Sequence, residues 1–260
     1  MSKILFVADL HGNYEATMAL DAEIKKLKPD DIYFLGDAVG KGPDSDKTCD
    51  WVRENCKHWI AGNWDYFLVN SYREQKPIGI GDEFYWEQVG PERMDWLASL
   101  PFEDEILISG LNFRLLHGRP TDKNYHPYQS LDEISKGLWG YGRSYTGVKM
   151  SDSGHPELEG EKRKFDAFIS ADCHMPYIQA TPDSGYAINT GSVGNSLGVT
   201  NCHCLLIEGD PGSSIKTPLK MSILSIPYDI EKAVRRAKDC AGLPNSEAFQ
   251  KELLTGVYSR

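Results

Sequence analysis

Seven residues of this 260-residue chain could ligate a metal, and each closes a short apolar run: Asp9, His11, Asp37, Asn63, His117, Asp172 and His174. The first run, Lys3-Ile4-Leu5-Phe6-Val7, has the composition of a strand buried on both faces of a parallel sheet. It stops in Ala8-Asp9-Leu10-His11-Gly12. Two positions along an extended strand put both side chains on one side, so a carboxylate and an imidazole are expected to converge there. Alone the pair is weak evidence, because Asp-x-His arises by chance. It gains weight from Gly36-Asp37, Gly62-Asn63, His117-Gly118 and Asp172-Cys173-His174, which recur at later strand ends. A mixed set of carboxylate, imidazole and amide suits Mn, Fe, Zn or Ni better than the all-oxygen sites of Ca or Mg. Seven donors exceed one tetrahedral ion. They suit two ions about 3.5–4 Å apart with one carboxylate bridging, the arrangement that two-metal phosphoryl hydrolysis requires.

These residues need elements that bring strand ends to one sheet edge. Asn13 is a good N-cap, and Ala16, Ala19, Leu20, Ile24 and Leu27 repeat at helical spacing after it. Pro29-Asp30 ends that helix, and Asp31 to Leu35 reads as a second buried strand, which gives a right-handed βαβ unit. Pro43 suits the first turn of a helix to about Asn55, and Lys57 to Ala61 reads as a third strand. Residues from about 66 to 100 read as an aromatic-rich helical insertion over the site, with Trp86 and Trp96 as core residues rather than base-stacking platforms. Strands resume at 105–109 and 113–116 as a hairpin. The polar, Gly-rich stretch of about 121–164, with one short helix near 130–137, reads as a long functional loop. A strand follows at 165–170, two more flank Asn189–Gly194, and Cys202–Ile207 with Lys216–Ile226 is expected to complete a second sheet. Asp229 caps a helix closed by Gly242, and a last helix carries Phe249, Leu253 and Leu254. The expected organisation is one α/β domain over residues 1–260.

Bulk properties narrow the partners. A formal net charge of -10 argues against a generic nucleic-acid or anionic-membrane surface, which demands clustered Lys and Arg. It is compatible with a small phosphorylated substrate, because a metal supplies positive charge locally. No stretch approaches the ~20 apolar residues of a membrane span, and Lys3, Asp9 and His11 interrupt any signal-peptide core. The six cysteines show no C-x-x-C, so reduced thiols and a cytoplasmic protein are expected. In Cys202-His203-Cys204 a strand would point both thiols to one side and the imidazole to the other, which fits packing better than ligation.

Taken together, Asp9-x-His11, Gly36-Asp37 with Gly42-Pro43, Gly62-Asn63-x-Asp65, His117-Gly118 and Asp172-x-His174-x-Pro176 resemble the five motifs of the calcineurin-like metallophosphoesterase superfamily. Asn189-Thr190-Gly191-Ser192-Val193-Gly194 is similar to a loop of its small bacterial and archaeal phosphodiesterase branch, and the Tyr228-Asp229 tail resembles bacterial asymmetrical diadenosine tetraphosphate hydrolases. The resemblance implies a four-layer α/β/β/α sandwich of two mixed sheets flanked by helices. It implies that Asp9, His11, Asp37 and His174 hold a first metal. Asp37 would bridge to a second, shared with Asn63, His117 and Asp172, and a hydroxide between the metals would attack a small phosphodiester or nucleotide phosphoanhydride.

Two departures shape that expectation. Trp64 stands where the family places a His that protonates the leaving group, and an indole cannot serve as a general acid. Good leaving groups should therefore be favoured, with Asp65 orienting its loop rather than moving protons. Asp172 replaces an imidazole of the family pattern. A carboxylate hardens the second site, so Mn or Fe is expected ahead of Zn or Ni. Asn63 would also reach substrate, and Arg119 either holds a phosphate at the rim or is a solvated loop charge. The competing functions are a phosphoprotein Ser/Thr phosphatase and a non-catalytic interaction module that retains the fold. Oligomeric state is left open.

Overall fold

The structure, a computed structural model, describes residues 1–79, 81–118, 165–181 and 184–259. The chain runs β1 (Ser2–Val7), α1 (Tyr14–Leu27), β2 (Asp31–Phe34), α2 (Ser45–Asn55), β3 (His58–Trp59), α3 (Asn63–Glu74) and α4 (Asp82–Leu97). It continues through β4 (Glu103–Ile108), β5 (Leu111–Leu116), β6 (Ala167–Ser170), β7 (Tyr177–Ala180), β8 (Tyr186–Asn189), β9 (Cys202–Gly209) and β10 (Lys220–Ile226). Two helices close it, α5 (Ile230–Asp239) and α6 (Ser246–Thr255).

The strands form two five-stranded mixed sheets, ordered β10-β9-β1-β2-β3 and β4-β5-β6-β8-β7. With the six helices described, this is the α/β architecture of two mixed sheets flanked by helices. Strand alternation divides the core into layers. Ile4, Phe6, Tyr33, Leu35, Leu205 and Ile207 face Phe113, Leu115, Ile169 and Ile188 between the sheets. Leu5, Val7, Ile32, Phe34 and Leu206 point the other way, against Leu20, Cys49, Val52, Leu68 and Val89 of α1 to α4. Trp86 and Trp96 are partly buried in that helical layer. Trp86 donates its indole N–H to Ser71 Oγ at 3.0 Å, and Trp96 meets Trp59 edge-on.

The βαβ unit forms as expected, with Ile4 paired in parallel to Asp31 and Val7 to Phe34. Asn13 caps α1 by accepting from Ala16 N. Asp229 caps α5 by accepting from Lys232 N. Three expectations need correction. First, the sequence reading puts β9 and β10 in the second sheet. Instead β9 runs antiparallel along β1, from Ser2 opposite Gly209 to Phe6 opposite Leu205, and so fills the open edge of the first sheet. A strand as apolar on both faces as β1 cannot be left at an edge, and the equally apolar β9 supplies its neighbour. Second, Pro43 lies outside α2, whose N-cap is Asp44, so the proline ends the preceding loop. Third, α5 stops at Asp239 with Cys240 as its C-cap, short of Gly242. Cys202 and Cys204 pack into the helix-side core while His203 points away, bonded to the hydroxyls of Ser196 and Ser225. The long stretch of 121–164 lies outside the described residues, as does Arg119.

Candidate metal centre

The strand ends do converge, but not through extended backbone. β1 ends at Val7, and Asp9 and His11 both adopt left-handed conformations, with φ of 53° and 46°. Asp37, Asp172 and His174 do the same, with φ of 62°, 65° and 58°. For non-glycine residues this region is sparsely populated, and Asp and His are among those that tolerate it. The expectation that Asp9 and His11 converge along a strand is thus replaced by tight turns that aim each side chain back over the strand ends.

Those turns are held by the neighbouring chain. Asp9 N donates to Gly36 O, His11 N to Asp37 O and Gly12 N to Ala38 O, which staples the first loop to the second. Ser192 Oγ and Gly194 N both donate to Asp9 O, at 2.9 Å each, so the Asn189–Gly194 segment buttresses the first loop from the other side. Asp65 is fully buried and accepts three backbone N–H groups, from Asp37 at 2.7 Å, Gly62 at 3.0 Å and Ala38 at 3.1 Å. Burial and the Asp37 carboxylate raise its pKa to about 6 against those donors. Its geometry is that of a bracket between the second and third loops. Gly62 allows the close approach, since a Cβ there would lie 2.0 Å from Asp37 Oδ1. Gly40, at φ +84°, lies under the Trp64 ring, where a Cβ would stand 2.2 Å from the indole.

Each histidine is oriented by a backbone carbonyl. Nδ1 of His11 faces Val39 O at 3.0 Å, Nδ1 of His117 faces Leu35 O at 2.6 Å and Nδ1 of His174 faces Asn195 O at 2.6 Å. A carbonyl only accepts, so every Nδ1 carries a proton and every Nε2 turns inward. His11 Nε2 lies 3.5 Å from Asp37 Oδ2 and 3.8 Å from Asp9 Oδ1. His117 Nε2 lies 3.4 Å from Asp37 Oδ2, 3.8 Å from Asp9 Oδ1, 3.9 Å from Asp172 Oδ1 and 3.1 Å from Asn63 Oδ1. His174 Nε2 lies 3.7 Å from Asp9 Oδ1. Two triads have mutually close donor atoms, Asp9 with His11 and His174, and Asp9 with Asp37 and His117.

All seven candidates therefore meet at one place, and a cation fits it. Asp9 Oδ1 is buried without a hydrogen-bond partner, a costly state for a carboxylate oxygen unless a positive charge belongs beside it. Burial, with Asp37 and Asp172, pushes the Asp9 carboxyl well above its ordinary range, against the pull of His117 and Lys41. Burial also opposes charge on His117, yet Asp37, Asp9 and Asp172 outweigh it and raise that ring well above its usual value. Burial and the Lys41 ammonium push His174 well below its own. The cluster thus attracts positive charge to its centre. Trp64 stands at the rim, its backbone N–H donating to Asp37 Oδ1 at 2.8 Å and its ring 5.7 Å edge-on to His11.

The sequence reading missed Lys41, Asn195 and Glu252. Lys41 Nζ donates to Asn195 Oδ1 at 2.8 Å, and Asn195 Nδ2 donates to Glu252 Oε2 at 3.1 Å. Lys41 sits in the Gly40–Pro43 loop and was readable there as a charge among small residues, whereas nothing local marks Glu252.

Strand-end imidazoles and carboxylates on two sandwiched sheets define a metal-binding α/β protein. The chain belongs to the calcineurin-like phosphoesterases: that family's profile matches residues 2–183. It is accordingly a metal-dependent phosphoester hydrolase. An uncharacterised protein of Methanocaldococcus jannaschii, MJ0912, is 26% identical over 245 residues, 90% of this chain and 91% of that protein. A symmetrical bis(5'-nucleosyl)-tetraphosphatase of Buchnera aphidicola is 33% identical over 101 residues, covering 36% of this chain and 37% of that enzyme. That enzyme is of the symmetrical kind, whereas the sequence resemblance points to the asymmetrical subgroup. Among solved structures, the fold is shared with hypothetical protein PH1004 of Pyrococcus horikoshii, at TM-score 0.70 and 19% identity over 99% of both chains. A metallophosphoesterase of Sphaerobacter thermophilus superposes at TM-score 0.66 and 21% identity, over 98% of this chain and 99% of that one.

Proposed function

We propose that the protein is a dinuclear metal-dependent phosphoesterase acting on a small phosphodiester or nucleotide phosphoanhydride. The observation that carries this reading is the meeting of three inward-facing Nε2 atoms with the carboxylates of Asp9 and Asp37, in two triads that share Asp9. Asp9, His11, Asp37 and His174 would hold one ion. Asp37, Asn63, His117 and Asp172 would hold the other, and the carboxylate of Asp172 favours Mn or Fe over Zn or Ni there. When bound, such ions acidify a water and neutralise charge on phosphoryl oxygens.

The chain's own residues set the rest. The carbonyls of Val39, Leu35 and Asn195 keep each imidazole in the tautomer whose Nε2 lone pair points inward. Asp65 positions the Asp37 and Asn63 loops together by its three backbone contacts. Trp64 brings no labile proton to the leaving group, so phosphoanhydrides and aryl esters, which need little protonation, suit the site. The tetraphosphatase name carried by partial relatives favours a nucleotide anhydride. The free state of all six cysteines suits a reducing, cytoplasmic setting, and among the described residues no helix is long and apolar enough to cross a membrane.

The test is to strip the protein of metal, reload it with Mn²⁺, Fe²⁺, Zn²⁺ or Ni²⁺, and assay aryl phosphate monoester, aryl phosphodiester and diadenosine tetraphosphate. Turnover of diester or tetraphosphate with Mn²⁺ or Fe²⁺ is expected. Absence of turnover with every ion, together with absence of bound metal, would overturn the reading.

A further inference from the structure

The carbonyl that orients His174 belongs to Asn195, and Asn195 is fixed at every polar atom it has. Its N–H donates to Ser192 Oγ at 2.8 Å, and its carbonyl accepts from His174 Nδ1 at 2.6 Å. Its side-chain carbonyl takes the Lys41 ammonium at 2.8 Å, and its amide N–H₂ faces Glu252 Oε2 at 3.1 Å. Lys41, Asn195 and Glu252 are all buried, with Asn195 and Glu252 at 0% exposure.

A carboxamide between a cation and an anion has one favourable orientation. Flipping it would set N–H₂ against an ammonium and C=O against a carboxylate, each a buried like-polarity clash. Both ends are also charge-assisted hydrogen bonds, a class stronger than neutral ones. The pair therefore locks the residue whose backbone receives the His174 proton. Glu252 comes from α6, far along the chain from the motif loops. Its other oxygen, Oε1, accepts from Ser259 N at 3.1 Å, which ties the C-terminal segment to the same carboxylate. The Tyr258 ring completes the enclosure, 5.9 Å from Lys41 Nζ.

We propose that Glu252 and Lys41, acting through Asn195, are positioning residues for His174, so that the C-terminal helix sets how tightly the first metal is held. This rests on the two-metal reading above. Partners one step removed from a ligating histidine typically change metal affinity by about 10–100-fold when removed. Among the described contacts the network reaches His174 and not His117, so the effect should fall on one site.

The experiment is titration of Mn²⁺ into metal-free full-length protein, with free Mn²⁺ counted by EPR and folding followed by circular dichroism. Wild type is expected to take up two equivalents. In Glu252→Ala one equivalent should bind as in wild type while the other weakens by about 10–100-fold. Glu252→Gln is isosteric and keeps an acceptor for Asn195 Nδ2, so it should weaken the same equivalent by only about threefold. If Glu252→Ala does not fold, Glu252→Gln decides. An isotherm that overlays wild type, or equal weakening of both equivalents, overturns the inference. Failure of wild type to bind any Mn²⁺ would instead sink the two-metal reading, and this inference with it.

Discussion

His11 Nε2 and His174 Nε2 stand 3.1 Å apart, although 163 residues separate them in the chain. Each ring already commits its Nδ1 proton to a carbonyl, so two lone pairs face each other across that gap. Lone pairs so placed repel unless a positive charge lies between them, and Asp9 Oδ1 is within 3.8 Å of both nitrogens. That relationship makes the site a receptor for a cation.

Asp37 is the carboxylate closest to both His11 and His117, so its charge should matter most. Asp37→Asn keeps shape and loses the bridging anion. Turnover of an aryl phosphodiester by the Mn²⁺-loaded variant is expected to fall by more than about a hundredfold. A rate close to wild type would remove the two-metal assignment.

Trp64 fills space as well as withholding a proton. Its ring covers Gly40 and meets His11 and Tyr85 edge-on. Trp64→His should therefore cost about 1–3 kcal/mol of stability, read as a lower Tm, through the cavity it leaves. It should also raise kcat on poor alkyl leaving groups relative to good aryl ones. An equal effect on both classes would count against a missing general acid.

The second sheet holds a buried ion pair that the chemistry does not use. Arg114 on β5 and Glu103 on β4 are 3.3 Å apart and buried, with Phe165 beneath the guanidinium. Arg114→Met should destabilise by about 3–5 kcal/mol by taking the guanidinium away from a buried carboxylate, and adding Glu103→Gln should restore much of it. Denaturant midpoints of the two variants test this; equal midpoints would show that the pair is not coupled.

α2 and α4 are joined by Asp50 and Arg93, whose Nε and Nη2 bond the two carboxylate oxygens at 2.7 and 2.6 Å. Those hydrogen bonds hold the Asp50 carboxyl below its ordinary range. A depressed folded value means the pair stabilises fully above about pH 4 and stops doing so as pH falls through that lower value. Both groups are substantially exposed, so Arg93→Ala should cost only about 0.2–1 kcal/mol at pH 7, shrinking as pH falls below the ordinary carboxylate range. Chemical denaturation across that range checks it, and a constant difference would refute the assignment.

How much of this was legible in the sequence depends on how far each feature reaches. The apolar runs of β1, β2 and β6 and the caps Asn13 and Asp229 are local, and the sequence reading places them within a few residues. That the residues at those strand ends gather at one point also follows from parallel strands sharing a carboxyl edge. The antiparallel seat of β9 on β1 is not local, because nothing in Cys202–Gly209 states which sheet has a vacant edge. The left-handed turns at Asp9 and His11 were equally hidden, since spacing alone cannot separate an extended pair from two reversed ones. Glu252 lay furthest out of sight: its polarity reads as a solvated helix face until α6 is seen docked on Asn195.

The left-handed backbone at Asp9, His11, Asp37, Asp172 and His174 has a consequence for how this protein trades durability against use. Each such position costs about 1–3 kcal/mol in strain, and the buried carboxylates among them repel one another. Glycine at Asp9, Asp37 or Asp172 would relax its turn and remove one of the mutually repelling carboxylates. Glycine at one of these three aspartates should therefore leave a chain that is hardier and less active. The native sequence is a compromise in which the least comfortable residues are the ones gathered at the candidate metal centre.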